Sequence, residues 1–333
     1  MNGRADRLDR LDRLDRLDRA ADRLDGVAVR DVPLAPLTTY RVGGPAALLA
    51  RPRTVADLSR IARVCRDLEL PLLVVGRGSN LLVADDGFAG VAVVLTDLRG
   101  APDEAIGADV VFDGTTVAAG GAVALPVLAR RTAAAALTGF EWAVGVPGTV
   151  GGGVRMNAGG HGSDMASSLI DVDLFDLRRD ERVTLGADCL GLRFRGSDLA
   201  DHQVVLGARL RLATGDRARS EHEIDEIVRW RRDHQPGGQN AGSVFVNPVP
   251  GEVTAGALID GMGMRGLRLG TAHVSEKHAN FIQAGDGGRA ADVRALMELV
   301  REKVAAETGY VMRSEVRLVG FDDVAEPAAG VTW

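Results

Sequence analysis

Glycine and small polar residues are concentrated between Gly139 and Gly162, where the backbone could lie directly against a ligand. This stretch reads GFEWAVGVPGTVGGGVRMNAGGHG, with nine glycines among 24 residues and apolar anchors such as Trp142 and Val150 between them. Glycine removes the Cβ that would block a close approach, and its exposed amides can bind an anion. A Gly-rich turn between strands is the alternative, because short motifs also occur without a function.

A second candidate anion site follows a short buried strand, at Gly76-Arg-Gly-Ser-Asn80. The first two glycines have the spacing of a dinucleotide fingerprint, but Leu81 occupies the third glycine position and another strand follows. Because that fingerprint requires a strand, a turn and then a helix, we reject it. The remaining interpretations are a strand–loop–strand whose amides hold a pyrophosphate together with Ser79 and Asn80, or an ordinary turn.

Other side chains could bind charge or move a proton, although composition alone does not single them out. The run Arg229-Trp-Arg-Arg232 ends a predicted helix, so it is either a basic shelf for a diphosphate or a complement to the helix dipole. Ser243 has no GxSxG context, which disfavours a hydrolase nucleophile. His273 and His278 lack the spacing of metal ligands, and we predict no metal site.

Composition limits the class of protein. A chain of 333 residues has room for two or three domains, and its net charge of −6 disfavours a nucleic-acid surface. No apolar run reaches the roughly 20 residues that span a bilayer, and the N-terminus lacks the pattern of a secretory signal. Cys65 and Cys189 form no disulfide or metal framework. We therefore expect a soluble, cytoplasmic protein with no membrane insertion and no required protein partner.

The N-terminal residues repeat Asp-Arg-Leu, with a leucine at every third position from Leu8 to Leu17. Such a stripe drifts around an α-helix instead of holding one face. A charged helical arm is one interpretation, but the low complexity favours a mobile extension over residues 1–26.

The rest of the chain alternates helices and strands that could position these groups. Thr54 and Asp57 predict a capping box, and Ser220 and Glu223 predict another. The other predicted elements are a strand at 38–42 running into a Gly-Gly-Pro turn, strands at 72–75, 81–84 and 204–212, strand pairs at 108–119 and 169–183, helices at 125–137, 255–262 and 293–304, a helix end at Gly309, and a last strand at 314–320.

The motifs, taken together, resemble one family. The runs Gly145-Val-Pro-Gly-Thr-Val-Gly-Gly152 and Met156-Asn-Ala-Gly159 are similar to the flavin-binding signature of the UDP-N-acetylenolpyruvoylglucosamine reductases. Residues 39–45 and 76–82 also fit that family, as do 192–197, 235–248, 267–282 and the segment around Glu315. The resemblance extends from about Leu37 to Gly320.

The resemblance implies an α+β fold with a two-lobed FAD-binding domain of the vanillyl-alcohol-oxidase/PCMH type and a smaller α+β substrate-binding domain. We expect the first domain at 27–216, split near 103, the second at 217–322, and a tail at 323–333. The chain has few tyrosines and a short interval between Leu212 and Ser220. It therefore resembles the subgroup that lacks an extra tyrosine-bearing loop.

The resemblance also implies an activity. NADPH would reduce FAD, and the flavin N5 would pass hydride to the vinyl carbon of UDP-N-acetylglucosamine enolpyruvate, giving UDP-N-acetylmuramate for peptidoglycan. By the same resemblance, Arg195 meets the substrate carboxylate, Ser243 donates the proton, and Glu315 positions or polarises the same group. Proline normally precedes this glutamate in the family, whereas Ser314 precedes it here.

The family pattern further implies two sets of binding residues. Substrate would contact Arg231, His234, Gln235 and Asn247. Flavin would contact Tyr40, Arg41, Gly43, Gly76, Gly78, Ser79, Asn80, Leu81, Gly145, Pro147, Gly148, Thr149, Gly151, Gly152, Asn157, Ala158 and Gly159.

Two other functions remain open at this point. Oxidases that pass electrons from an alcohol or sugar to oxygen share this type of flavin domain, but they lack the Ser243 and Glu315 motifs. A non-catalytic flavin-binding or nucleotide-binding protein is the second alternative, and the presence of all three candidate catalytic residues disfavours it.

Overall fold

The computed structural model describes residues 2–100 and 104–321, with side chains from residue 11 onward. The described chain divides into two compact units. The first comprises the residues up to Val32 with Ala46–Gly76 and Ala89–Val228. The second comprises Pro33–Pro45, Arg77–Phe88 and the residues from Arg229 onward.

Seven α-helices occur in the described residues. They are α1 (Asn2–Arg23), α2 (Val55–Asp67), α3 (Leu125–Ala134), α4 (Val150–Arg155), α5 (Arg217–His234), α6 (Ala255–Gly261) and α7 (Ala290–Thr308).

The strands are short, and most belong to the first unit. They are β1 (Ala28–Pro33), β2 (Pro45–Ala50), β3 (Leu72–Val74), β4 (Leu81–Val83), β5 (Phe88–Val93), β6 (Val110–Asp113), β7 (Thr116–Gly120), β8 (Leu137–Thr138), β9 (Gly159–Gly160), β10 (Ser163–Asp164), β11 (Leu169–Asp176), β12 (Glu181–Gly186), β13 (Gln203–Arg211), β14 (Ala213–Thr214), β15 (Arg268–Leu269), β16 (Ala272–Val274), β17 (Ile282–Ala284) and β18 (Arg317–Val319).

The first unit contains two main sheets, each with its own hydrophobic cluster. One sheet has the strand order β1-β2-β5-β3, and the other is antiparallel in the order β12-β11-β13-β7-β6. The first cluster is centred on α2, and the second lies among α3, α4 and the five-stranded sheet. The predicted split near 103 falls on residues 101–103, outside the described residues.

Helix α2 forms as its sequence predicts. The Thr54 hydroxyl accepts a hydrogen bond from Asp57 N–H at 3.2 Å, and the Asp57 carboxylate accepts one from Thr54 N–H at 3.0 Å. This reciprocal arrangement satisfies two backbone donors that the helix itself leaves unpaired. Its apolar face, which includes Leu58 and Ile61, is fully buried in the core of the first unit.

The Asp-Arg-Leu repeat, for which the sequence favours a mobile extension, is helical in α1. Arginine and aspartate four residues apart form ion pairs, such as Arg16 with Asp12, and these pairs support an isolated helical turn. The drifting leucine stripe reaches the core at Leu17, where Ala20 and Leu24 continue one buried face. Leu11, earlier in the stripe, is 55% exposed. The helical alternative is therefore the correct one for this segment.

The second unit is built around α7. Its residues at helical spacing, such as Val293, Leu296 and Val300, are buried against the sheet β15-β16-β17. Gly309 ends the helix with a φ of +78°, the left-handed conformation that glycine adopts without a Cβ clash. The predicted end of this helix is confirmed.

Two segments from the predicted flavin domain group with this second unit. Strand β4 pairs in parallel with β18, with Leu81 opposite Arg317. Tyr40, Val42 and Leu82 are buried in the hydrophobic cluster of α7. The compact units therefore differ from the linear division at 216, because residues 33–45 and 77–88 bury their apolar side chains with the later part of the chain. The predicted tail at 323–333 lies outside the described residues.

Two local predictions are wrong. Helix α5 begins at Arg217, so Ser220 lies inside the helix and is buried instead of capping it. The carboxylate of Asp216 accepts from Arg219 N–H at 2.8 Å and takes over the capping role. Residues 38–42 form no strand, and β2 begins after the Gly-Gly pair, at Pro45.

Candidate functional site

The Gly-rich segment of the first unit is fixed by its own backbone. Thr149 caps α4, since its hydroxyl accepts from Gly152 N–H at 3.3 Å. Gly148, Val150 and Gly151 donate their amides to Val146, Val123 and Gly121 at 2.9 Å each. These four amides are therefore satisfied within the protein. The segment offers a rigid surface to a ligand, with Pro147 and Gly152 exposed.

Glycine is required here partly for packing between chain segments. A Cβ on Gly159 would lie 2.6 Å from the carbonyl oxygen of Ser163, and one on Gly151 would lie 3.1 Å from that of Gly121. A Cβ on Gly145 would meet Ile227 at 3.2 Å. Gly152, by contrast, has a single neighbour at 3.5 Å, the hydroxyl of Thr149, and leaves its surface accessible to a ligand.

The side chain of Asn157 is used within the protein. Its amide oxygen accepts from Ala166 N–H at 2.9 Å, and its nitrogen donates to Asp164 at 3.0 Å. The neighbouring Ala158 donates its own amide to Gly153 at 2.8 Å. These bonds hold the turn after α4, where Asn157 adopts a positive φ of 39°. The predicted flavin contacts of Asn157 and Ala158 stay predictions.

Arg195 is attached to the same segment. Its Nη1 donates to the carbonyl of Gly159 at 3.2 Å, and its guanidinium lies 5.1 Å from the ring centroid of Phe194. The half-buried residue has a φ of +57°, a conformation that bulky side chains rarely adopt. The nearby Ser197 hydroxyl donates to the carbonyl of Arg155 at 2.7 Å and anchors this turn.

The amides of the loop Gly76–Asn80 differ from the four satisfied amides around Thr149. Within the described part of the chain, none of its five backbone N–H groups donates a hydrogen bond. Gly78 has a φ of +58°, and a Cβ there would lie 2.2 Å from the carbonyl oxygen of Leu37. In the first unit, a Cβ on Gly76 would lie 2.7 Å from the Thr149 hydroxyl. The loop is thus a backbone turn with free donors, as an anion site requires.

Tyr40 contributes a second unsatisfied donor. Its side chain is completely buried in the second unit, and its hydroxyl has no hydrogen-bond partner among the described residues. Burial raises the pKa of the Tyr40 phenol, so it stays protonated and can donate. Arg41 beside it is exposed, and a Cβ on Gly43 would lie 2.4 Å from the carbonyl oxygen of Val83. A buried hydroxyl and a loop of free amides fit a dinucleotide cofactor, which can accept hydrogen bonds from both.

Ser243 and Glu315, separated by more than seventy residues, are brought together in the second unit. Glu315 N–H donates to the carbonyl of Val244 at 2.7 Å, and Phe245 forms a bridge with Ser314. Ser243 is half-buried, and its hydroxyl makes no hydrogen bond to the described residues. The Ser314 hydroxyl donates to the carbonyl of Val316 at 2.7 Å and so spans Glu315. This hydrogen bond restrains the backbone where a proline would restrain φ.

The candidate substrate residues also lie in the second unit. Arg231 is half-buried at the end of α5, and no carboxylate among the described residues lies within ion-pair distance of it. Burial lowers the pKa of its guanidinium. His234 stacks on Trp230 with ring centroids 4.7 Å apart, and the buried Oε1 of Gln235 has no hydrogen-bond partner among the described residues. Asn247 accepts from Ala255 N–H at 3.1 Å, so it positions α6.

Two buried polar residues, Glu141 in the first unit and Asn280 in the second, were not identified from the sequence. Glu141 is 4% exposed and accepts hydrogen bonds from the Ser220 hydroxyl at 2.6 Å and Gly139 N–H at 2.8 Å. Burial alone would raise the pKa of Glu141, but these hydrogen bonds outweigh it and the pKa is lowered. Asn280 pairs with both backbone groups of Phe245. A charged or amide group inside an apolar run is the signal that could have identified both residues.

No group of three or more His, Cys, Asp or Glu residues suited to a metal occurs in the described ranges.

Among the described helices, none combines the length and apolar character needed to cross a membrane.

Comparison with known proteins defines the two parts of the chain. Residues 46–185 match the family described as FAD binding domain, and residues 234–319 match the C-terminal domain of UDP-N-acetylenolpyruvoylglucosamine reductase. The reductase of Heliobacterium modesticaldum is 42% identical over 297 residues, covering 89% of this chain and 91% of the relative. The reductase of Gloeobacter violaceus is also 42% identical, and the match covers 87% of this chain and 95% of the relative.

A solved structure agrees with these relatives. The reductase from Thermus caldophilus superposes with a TM-score of 0.73 at 33% identity, covering 87% of this chain and 98% of that one. The fold class predicted from the sequence is confirmed. Fold and site together define an FAD-dependent oxidoreductase. The chain belongs to the UDP-N-acetylenolpyruvoylglucosamine reductase family, which acts in peptidoglycan synthesis, and the family prediction is confirmed.

Proposed function

We propose that the protein reduces UDP-N-acetylglucosamine enolpyruvate to UDP-N-acetylmuramate, with NADPH as the reductant and FAD as the resident cofactor. The observation that carries this proposal is the juxtaposition of Ser243 and Glu315 within one unit of a chain that matches the reductases over 89% of its length. The hydroxyl of Ser243 has no protein partner among the described residues, as expected of a group that meets its partner in the substrate.

FAD, when bound, supplies the hydride-transfer chemistry between NADPH and the terminal vinyl carbon that no side chain provides. The chain would hold it with the free amides of Gly76–Asn80 and the Tyr40 hydroxyl. The other predicted flavin residues are proposed as further contacts to the cofactor.

The remaining chemistry falls to three side chains. Once hydride reaches the vinyl carbon, negative charge develops at the adjacent carbon and extends into the carboxylate. The cationic Arg195, which Gly159 holds in place, stabilises that carboxylate, and Glu315 polarises the same group. Ser243 then donates its proton to the adjacent carbon. A serine is a weak acid, but an enolate is basic enough to take its proton.

The substrate's diphosphate would bind near the end of α5. Arg231 is the favoured group because it is half-buried and has no carboxylate neighbour among the described residues. His234 and Gln235 follow Arg231 in the chain. Asn247 positions α6, which would form one wall of the substrate site. We further propose that the enzyme acts in the cytoplasm on small molecules, without nucleic acid or an obligatory protein partner.

An anaerobic titration, followed by the visible flavin spectrum of the purified holoenzyme, tests this function. NADPH is expected to bleach the flavin, and UDP-N-acetylglucosamine enolpyruvate is expected to restore its colour without oxygen. Bleaching that only oxygen reverses would show an oxidase instead. A flavin that cycles with NADH as well as with NADPH would leave the reductase assignment intact and overturn the choice of reductant.

A further inference from the structure

A row of hydrogen bonds crosses the second unit from Asn280 to Asn80 and passes through both candidate catalytic segments. Val244 N–H donates to the carbonyl of Asn280 at 2.9 Å, and Glu315 N–H donates to the carbonyl of Val244 at 2.7 Å. The carbonyl of Glu315 then accepts from Nδ2 of Asn80 at 2.9 Å. The main chain of Glu315 is therefore held on both sides.

The two ends of this row are anchored differently. Asn280 is 4% exposed. Its side-chain amide donates to the carbonyl of Phe245 at 2.8 Å and accepts from Phe245 N–H at 3.0 Å. Asn80 closes the row from the other edge. Its own carbonyl accepts from Arg317 N–H at 3.0 Å, the residue that begins β18.

Asn80 thus contacts the glutamate segment twice, through its backbone and through its side chain. It is also the last residue of the loop Gly76–Asn80, whose amides are free within the described chain. The family resemblance predicts Asn80 as a flavin contact, yet its amide nitrogen donates to Glu315.

We propose that Asn80 is a positioning residue for Glu315, coupling the flavin-binding loop to the residue that polarises the substrate. The proposal rests on the function given above. The bond fixes the peptide that follows Glu315 and therefore the direction in which its side chain leaves the backbone. Misplacement of a catalytic group by about 1 Å can cost on the order of 100-fold in rate.

The test separates the two half-reactions in the FAD-loaded enzyme by stopped-flow absorbance. Asn80→Ala removes the donor and leaves the backbone bond to Arg317 intact. Because the substitution keeps the backbone amide of residue 80, the group assigned to FAD in the proposed function, we expect flavin content and the NADPH-driven reduction rate to stay within about twofold of the wild type. Reoxidation by UDP-N-acetylglucosamine enolpyruvate should slow by roughly 10-fold to 100-fold. The limiting rate at saturating substrate should fall, whereas the substrate concentration that gives half of that rate should change little.

Asn80→Asp provides a second variant of nearly the same shape. The ionised carboxylate cannot donate and would repel the Glu315 carbonyl, so reoxidation should be at least as slow as in Asn80→Ala. It also keeps the test available if Asn80→Ala does not fold. Gln203→Ala is the matched control, because the amide of Gln203 accepts from Ala200 N–H at 3.0 Å in the first unit. The ratio of the reduction rate to the reoxidation rate in Gln203→Ala should equal that of the wild type.

Three outcomes would overturn the inference. Equal slowing of reduction and reoxidation in both Asn80 variants, or loss of FAD, would show that Asn80 acts directly on the cofactor. Wild-type rates in both variants would show that the bond to Glu315 has no catalytic consequence. If the wild-type enzyme itself is not reoxidised by the enolpyruvyl substrate, the proposed function fails, and the positioning role fails with it.

Discussion

The Gly-rich segment of the first unit and the Ser243–Glu315 pair of the second are held in place by different means. Around Thr149, backbone amides donate to nearby backbone carbonyls. The absence of a Cβ at Gly159 lets its backbone approach the carbonyl of Ser163 closely. Around Val244, the backbone is held by partners remote in sequence, and two of these bonds come from the side-chain amides of Asn80 and Asn280.

This difference fits the role proposed for each region. A surface that receives a large planar cofactor benefits from a rigid backbone without protruding side chains. A proton donor and a carboxylate must instead be oriented to within a fraction of an ångström, and several hydrogen bonds from different directions achieve that. We therefore expect substitutions in the first region to reduce cofactor retention and stability, and those in the second to reduce rate.

The largest expected effect is that of Ser243→Ala. Loss of the proton donor should slow reoxidation of the flavin by the enolpyruvyl substrate by about 10²- to 10⁴-fold, while reduction by NADPH is unchanged. Anaerobic stopped-flow absorbance measures both steps. Ser59→Ala, in α2 of the first unit, serves as the control and should leave both rates unaltered. Equal loss of the two half-reactions would contradict the donor role.

The second test uses the adjacent residues Gly159 and Gly160, both in β9. A Cβ on Gly159 would lie 2.6 Å from a backbone oxygen, whereas one on Gly160 would have no neighbour within 4 Å. Gly159→Ala should therefore destabilise the protein by about 3 kcal/mol and weaken FAD retention. Gly160→Ala should change stability by less than about 0.5 kcal/mol. Similar melting temperatures for the two variants would refute the packing argument.

The third test concerns the buried hydrogen bond between Ser220 and Glu141. The pKa of Glu141 is lowered in the folded protein, so its ionised form stabilises the fold above its unfolded pKa. That contribution disappears as the pH falls through the lowered pKa. Ser220→Ala should cost about 2 kcal/mol at neutral pH.

The measurement for Ser220→Ala is the free energy of unfolding across the acid range. The difference between variant and wild type should shrink as the pH is lowered, because protonated Glu141 gains less from the hydroxyl. A difference that stays constant with pH would mean that Ser220 contributes through packing alone.

The smallest expected effect compares two helix caps. Thr149 caps α4 in the Gly-rich segment, and Thr254 caps α6 in the second unit. Each Thr→Ala substitution should cost about 1 kcal/mol of stability. Only Thr149→Ala should also raise the dissociation constant of FAD, measured by fluorescence of the released cofactor. Equal FAD affinity in both variants would show that the cap does not shape the cofactor site.

Prediction from sequence succeeded where the determining partners are close together. The capping box of Thr54 and Asp57 and the left-handed helix end at Gly309 are each set by residues within one helical turn. Prediction failed at Ser220, where a local capping pattern was outweighed by a buried partner 79 residues away, Glu141. It failed similarly for the N-terminal repeat, because burial of Leu17 and Leu24 stabilises a helix that the repeat pattern alone did not favour.

The sequence by itself determined the family, the order of the elements and the candidate residues, because its motifs are continuous runs and its helix ends are local signals. The tertiary structure decided which groups are available for chemistry. It satisfied the amides beside Thr149, left those of Gly76–Asn80 free within the described chain, and joined Asn80 to Glu315 across 235 residues. A hydrogen bond depends on distance in space, and only the packed chain defines that distance.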